Sequence, residues 1–145
     1  MKTRLRSHWH CVYSLHNHLV LVTKYRRKCF TQAMLERFKQ ICEHTCTLWD
    51  IECLEFGGEE DHIHLLLSLH PNVMPSRFVN NLKTVTSRLM RREYKKHLSR
   101  FYWKPVLWTR AYCLISAGGA PLSVLKKYIE NQAKPEVANS SPPKF

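Results

Sequence analysis

Asp61-His62-Ile63-His64-Leu65-Leu66-Leu67-Ser68-Leu69 is the stretch on which the fold turns. Successive side chains of a β-strand point to opposite faces, so this run reads as a strand over residues 62–69. His62 and His64 then share one face, while Ile63, Leu65 and Leu67 point into a core. Two imidazoles held parallel on a rigid strand are half of a metal site. By itself, however, a His-x-His pair is more often the polar face of a strand than a ligand set.

Working outward, Gly57-Gly58 reads as a turn before this strand, and His70-Pro71-Asn72 closes it. Residues 50–56 alternate as a second strand. Upstream, residues 11–24 are rich in Val, Leu and Tyr and predict a first strand, which ends in the basic cluster Lys24-Tyr25-Arg26-Arg27-Lys28. Thr31 suits the cap of a helix whose apolar positions are Met34, Leu35, Phe38, Ile41, Cys42 and Leu48. Downstream, Pro75 opens the longest helix, with Phe78, Val79, Leu82, Val85, Leu89 and Met90 as its apolar stripe. An aromatic loop (Phe101, Tyr102, Trp103, Trp108) leads to a strand over residues 110–116. Gly118-Gly119 break that strand, and Pro121 opens a last helix through Gln132.

The order strand, helix, strand, strand, helix, strand, helix is that of a ferredoxin-like (RRM-like) α+β fold with one extra C-terminal helix. In such a fold the histidine pair sits on an inner strand of an antiparallel sheet. Helices cover one face, and the other is left for substrate or a second subunit. The chain divides into an N-terminal arm (1–9), one domain (10–133) and a polar, Pro-rich tail (134–145).

Composition narrows the function. Twenty-three Lys and Arg against eleven Asp and Glu give a net charge of +12 and a pI near 9.7. Such a surface attracts polyanions, nucleic acid above all. The excess is concentrated: residues 71–110 hold ten basic residues and a single acid, Glu93. No apolar run reaches the roughly 20 residues that span a bilayer, so no membrane role and a cytoplasmic location are expected. The six cysteines form no Cys-x-x-Cys pair. Cys42 and Cys46, four apart on a helix with His44 turned away, read as small buried hydrophobes rather than zinc ligands.

In the last helix, Tyr128 and Gln132 stand four apart and share one side, flanking the apolar Leu122, Leu125 and Ile129. A phenol and an amide are thereby presented together.

Asp61-His62-Ile63-His64 beside Tyr128-Ile129-Glu130-Asn131-Gln132 resembles the single-tyrosine HUH transposases of the insertion-sequence 200/605 group. Residues 22–28, the long basic helix around 81–89, and Trp108, Tyr112 and residues 118–122 are similar to further parts of that family, in the same order. Glu60 departs from it, standing where the family often has Pro. The resemblance implies that His62, His64 and Gln132 hold Mg2+ or Mn2+, that Tyr128 is the nucleophile, and that Asp61 orients a ligand histidine. It implies cleavage and rejoining of single-stranded DNA, with hairpins near the element ends, through a 5′-phosphotyrosine. It also implies a homodimer whose active sites can be shared between subunits, with Gly118-Gly119 as a plausible hinge. Lys24, Arg26, Arg27, Arg77, Lys83, Arg88, Arg91 and Arg92 are candidate backbone-binding residues, and the aromatic loop a candidate base-stacking region. Two other readings stay open: a ferredoxin-like RNA- or DNA-binding protein with incidental histidines, and an HUH nuclease that processes repeats or replication origins.

Overall fold

The computed structural model describes residues 5–8, 11–118 and 122–132. Gly119, Pro121, most of the N-terminal arm and the C-terminal tail lie outside the described residues.

Four strands form one antiparallel sheet: β3 (Leu15–Val22), β4 (Glu52–Glu59), β5 (His62–Leu69) and β6 (Cys113–Ser116), preceded by a small hairpin of β1 (Arg6–His8) and β2 (Cys11–Tyr13). The sheet order is β4-β5-β3-β6. The two strands nearest each other in the middle, β3 and β5, are joined through a helix and a further strand. This is the split pattern of a ferredoxin-like sandwich, as expected from the element order. The helices are α1 (Gln32–Leu48), α2 (Pro75–Glu93), a short α3 (Lys95–Leu98) and α4 (Leu122–Glu130).

The local signals behave as their chemistry dictates. The Thr31 hydroxyl accepts from the Met34 amide at 3.2 Å, closing the first turn of α1. Pro75 takes the first position of α2, where its missing N–H is not needed. The helices α1 and α2 bury Phe38, Ile41, Phe78 and Leu82 against Leu19, Leu21, Ile63, Leu65 and Leu67 of the sheet.

Three expectations are corrected. The first predicted strand is broken at Ser14: its N-terminal part, β2, pairs with β1, and Arg6 anchors that hairpin by donating to the Ser68 carbonyl at 2.8 Å. The last predicted strand is regular only from Cys113. The third concerns Gly57 and Gly58, which do not turn the chain. They lie inside β4 with no positive φ, and the turn falls at Glu60 and Asp61. These glycines are selected by crowding rather than by backbone freedom.

The aromatic loop is mostly structural. Trp108 packs with its ring centroid 5.5 Å from both Phe30 and Phe38 and donates from Nε1 to Thr86 Oγ1 at 3.0 Å. Tyr102 is buried and donates to the Lys24 carbonyl at 2.6 Å. Trp103, by contrast, is 88% exposed. Trp108→Ala is therefore expected to cost about 3–5 kcal/mol in chemical denaturation, since it empties a large core site and removes the indole hydrogen bond to Thr86, whose hydroxyl keeps its own bond to the Leu82 carbonyl. Trp103→Ala should leave stability within about 0.5 kcal/mol of wild type.

Candidate active site

The period of β5 delivers the two histidines to one face. Their ring centroids are 6.0 Å apart with planes inclined by 30°. In register, His62 lies beside Val22 and Glu59, and His64 beside Val20 and Gly57.

Gly57 is what admits the second ring. A Cβ at this position would stand 2.5 Å from His64 Nε2, so the imidazole occupies the space that a side chain would take. Gly58 is confined in a different way, by the His62 carbonyl and the Leu35 side chain. Gly57→Ala is expected to displace the His64 ring while leaving the sheet intact, because a terminal imidazole yields more easily than backbone. The check is a shift of the His64 ring resonances by NMR, with unfolding free energy changed by only about 1 kcal/mol.

Asp61 sets the state of His62. Its Oδ1 lies 2.9 Å from His62 Nδ1. The hydrogen bond with His62, aided by the charge of Arg26, holds the Asp61 carboxyl below the usual carboxylate range. An ionised carboxylate only accepts, so the proton of this bond belongs to Nδ1. In the neutral ring that leaves the lone pair on Nε2, the tautomer a metal needs. Partial burial, together with the His62 and His18 imidazoles, pushes His64 down from its ordinary value, which favours its neutral form.

The helix α4 lies on the face opposite α1 and α2. Its Leu125 and Tyr128 pack on Val20 and Val22 of β3, with Cys113, Ile115 and Ile129 around them. This explains why β3 ends in four consecutive buried residues, Leu19 to Val22: both faces of the sheet are covered there. A cavity of about 260 Å³ remains between α4 and the sheet, lined by residues that include His18, His64, Leu66 and Lys126.

Tyr128 and Gln132 are thus on the histidine face, and both are buried. Burial pushes the Tyr128 phenol up, with the nearby Cys113 adding to the effect and the neighbouring Thr109 opposing it. The Gln132 amide nitrogen donates to the Tyr128 carbonyl at 3.2 Å, which leaves Oε1 as the atom it can offer elsewhere.

The donor set suits a divalent ion. Two imidazole nitrogens on one strand face and an amide oxygen add no negative charge to it. A second grouping went unnoticed in the sequence: ligand atoms of Glu59, Asp61 and His62 lie within 4.8 Å of one another. The cross-strand pairing of Glu59 with His62 is its origin, and pairing is not visible along the chain. Arg26 Nε stands 3.5 Å from Asp61 Oδ2, and that fixed positive charge argues against a cation at this second cluster.

The basic candidates separate into two kinds. Arg77, Arg88 and Arg92 are exposed on α2. Lys83 instead donates to the Thr109 and Arg110 carbonyls at 2.7 and 2.8 Å, and Arg91 bonds Ser87. Lys24 and Arg27 flank the Tyr25 ring at 5.6 and 5.8 Å. Arg26 turns inward to Asp61. Between α2 and residues 105–108, an open groove of about 410 Å³ is lined in part by Lys83, Arg88 and Arg91. Cys42 and Cys46 are buried and His44 is exposed on the outside of α1, as their spacing predicts. Among the described residues, no helix is long and apolar enough to cross a membrane.

The chain is similar to known proteins over most of its length. The ISDra2 transposase TnpA of Deinococcus radiodurans is 31% identical over 121 residues, covering 83% of this chain and 86% of that protein. The transposase for insertion sequence element IS200 of Salmonella typhimurium is 30% identical over 131 residues, 90% of this chain and 82% of its own. A crystal structure of a candidate transposase from Deinococcus radiodurans superposes with a TM-score of 0.81 at 29% identity, covering 89% of this chain and 98% of that one. The sequence profile of the IS200-like transposases matches residues 11–132, nearly the whole described domain. The chain therefore belongs to the IS200-like transposase family.

Proposed function

We propose that this protein cleaves and rejoins single-stranded DNA at the ends of an insertion element, with Tyr128 as the nucleophile and Mg2+ or Mn2+ held by His62, His64 and Gln132. The observation that carries the reading is the placement of α4. It lays a tyrosine and an amide on the sheet face that bears the two near-parallel imidazoles. A binding module has no need of that coincidence.

What a bound divalent ion supplies is charge neutralisation at the scissile phosphate. The chain's own residues do the rest. Asp61 holds His62 in the ligating tautomer, and Gly57 lets His64 lie beside it. Tyr128 Oη attacks phosphorus as its proton passes to solvent, the bond to the 3′ oxygen breaks, and that oxygen takes a proton from solvent to leave as a 3′-hydroxyl. The product is a 5′-phosphotyrosine. Because the phosphodiester becomes a phosphotyrosine ester, another 3′-hydroxyl can reverse the step and join new ends without ATP. Burial raises the phenol, so a cation held on the same sheet face would favour its ionisation while α4 is docked.

Exposed Arg77, Arg88 and Arg92, with Lys24 and Arg27, are the side chains placed to hold the DNA backbone, and Trp103 is the aromatic free to stack on a base. Hairpins at the element ends are the proposed substrate, a homodimer the proposed working form, and the cytoplasm the proposed compartment.

The test is incubation with labelled single-stranded DNA from the flanks of the gene, with Mn2+ or Mg2+, followed by a denaturing gel. A metal-dependent covalent adduct is expected. Intact DNA or RNA binding with no adduct from hairpin-bearing flanks would overturn the reading in favour of a binding module. An adduct without joining of two element ends would point to a nuclease on the same scaffold.

A further inference from the structure

Arg26 stands at a junction that its place in a basic cluster does not suggest. It lies in a short 3-10 turn, Lys24–Arg26, immediately after the central strand β3. Tyr25 and Arg26 both adopt left-handed backbone, with φ of 61° and 52°, a conformation that side-chain-bearing residues seldom take. The Arg26 amide donates to the Thr23 carbonyl at 2.9 Å, which closes the turn. The turn folds the Arg26 side chain back toward the sheet, where it is only 20% exposed.

There the guanidinium has two partners on different elements. Nε stands 3.5 Å from Asp61 Oδ2, and Nη1 donates to the Glu130 carbonyl at 3.4 Å. The other Asp61 oxygen carries the bond to His62. Glu130 is the last residue of α4, and its carbonyl belongs to the negative end of that helix, where a cation is favoured. One planar cation thus joins the last turn of the helix bearing Tyr128 to the carboxylate that orients His62. Arginine suits the role because its fork presents donors in two fixed directions, whereas a lysine reaches one partner at a time.

We infer that Arg26 is a positioning residue that docks α4 onto the histidine motif, rather than a contact to the DNA backbone. The catalytic part of this inference rests on the function proposed above; the docking part does not. Both contacts are longer than the usual hydrogen-bond distance, so the latch holds the helix without locking it.

The experiment compares wild type with Arg26→Asn and Arg26→Lys. Asn is chosen because it tolerates left-handed backbone, so any loss reports the guanidinium and not a strained turn. Amide hydrogen exchange over residues 124–132, without DNA or metal, reads docking directly. Adduct formation and DNA affinity, the latter measured in a Tyr128→Phe background, read its consequence. Faster exchange in α4 alone is expected for Arg26→Asn. Cleavage should slow roughly tenfold, the factor that about 1.4 kcal/mol commands, with affinity unchanged. Arg26→Lys should fall between the two. Unaltered exchange in α4 would overturn the inference, and so would weakened DNA binding as the main effect. Faster cleavage on release would overturn it as well, by making the latch inhibitory. If wild type forms no adduct, the function proposed above fails, and the exchange data still decide whether Arg26 docks the helix.

Discussion

Tyr128→Phe is expected to abolish the covalent protein–DNA adduct and to lower cleavage by about three orders of magnitude or more, because the attacking oxygen itself is removed. Few substitutions isolate chemistry so cleanly. The Tyr128 ring is buried among Val20, Val22 and Leu125, and phenylalanine fills the same space. Besides the nucleophile only one buried hydroxyl is lost, so stability should change by no more than about 1 kcal/mol. The domain should remain folded and bind single-stranded DNA as tightly as wild type, measured by fluorescence anisotropy. An adduct that persists in this variant would assign the nucleophile to another residue. Tyr112, half-buried on the approach to β6, would be the next to examine.

Removing the proposed metal ligands should have the second-largest effect, with different side effects at the two histidines. His64→Ala is expected to reduce metal-dependent cleavage by roughly three orders of magnitude, since one of the three proposed protein ligands is gone. Its melting temperature should barely move, because His64 is exposed and sits above a glycine. His62→Ala should be as inactive and also less stable by about 1–3 kcal/mol, because it leaves the buried Asp61 carboxylate with Arg26 alone. Chelation of wild type with EDTA should match His64→Ala in rate. The measurements are cleavage across a Mn2+ titration and thermal unfolding of each variant. Full metal-dependent activity in His64→Ala would sink this ligand assignment and move the ion to Glu59, Asp61 and His62.

The contrast between those two histidines shows how far a one-dimensional reading reaches. That both rings share a face follows from strand alternation, which depends only on the backbone. That one is exposed and the other tied to a carboxylate does not follow from it. Gly57 is the sharper case. A glycine pair before a strand suggests a turn, since glycine's commonest use is backbone freedom. Here the pair is extended inside β4, because an imidazole on the neighbouring strand needs the space. Nothing within β4 itself announces a ring approaching from the side.

Trp108 and Tyr102 make the same point for the aromatic loop. Their clustering beside basic residues suggests base stacking, yet the core claims both, and only Trp103 is left in solvent. Large rings are drawn inward whenever a partner exists for their polar edge, and Thr86 and the Lys24 carbonyl provide those partners.

What the sequence by itself determined was the element order, hence the ferredoxin-like sheet, the shared face of His62 and His64, and the shared side of Tyr128 and Gln132. Each of these depends on spacing within one element, where the backbone period is the whole argument. The tertiary structure alone decided which face of the sheet α4 covers, that Lys83 is spent on backbone carbonyls, and that Arg26 meets both Asp61 and the end of α4. Arg26 and Glu130 are 104 positions apart, so no local period relates them. Their meeting depends on how much apolar surface Leu125 and Tyr128 bury against β3, a quantity that exists only once the sheet has formed.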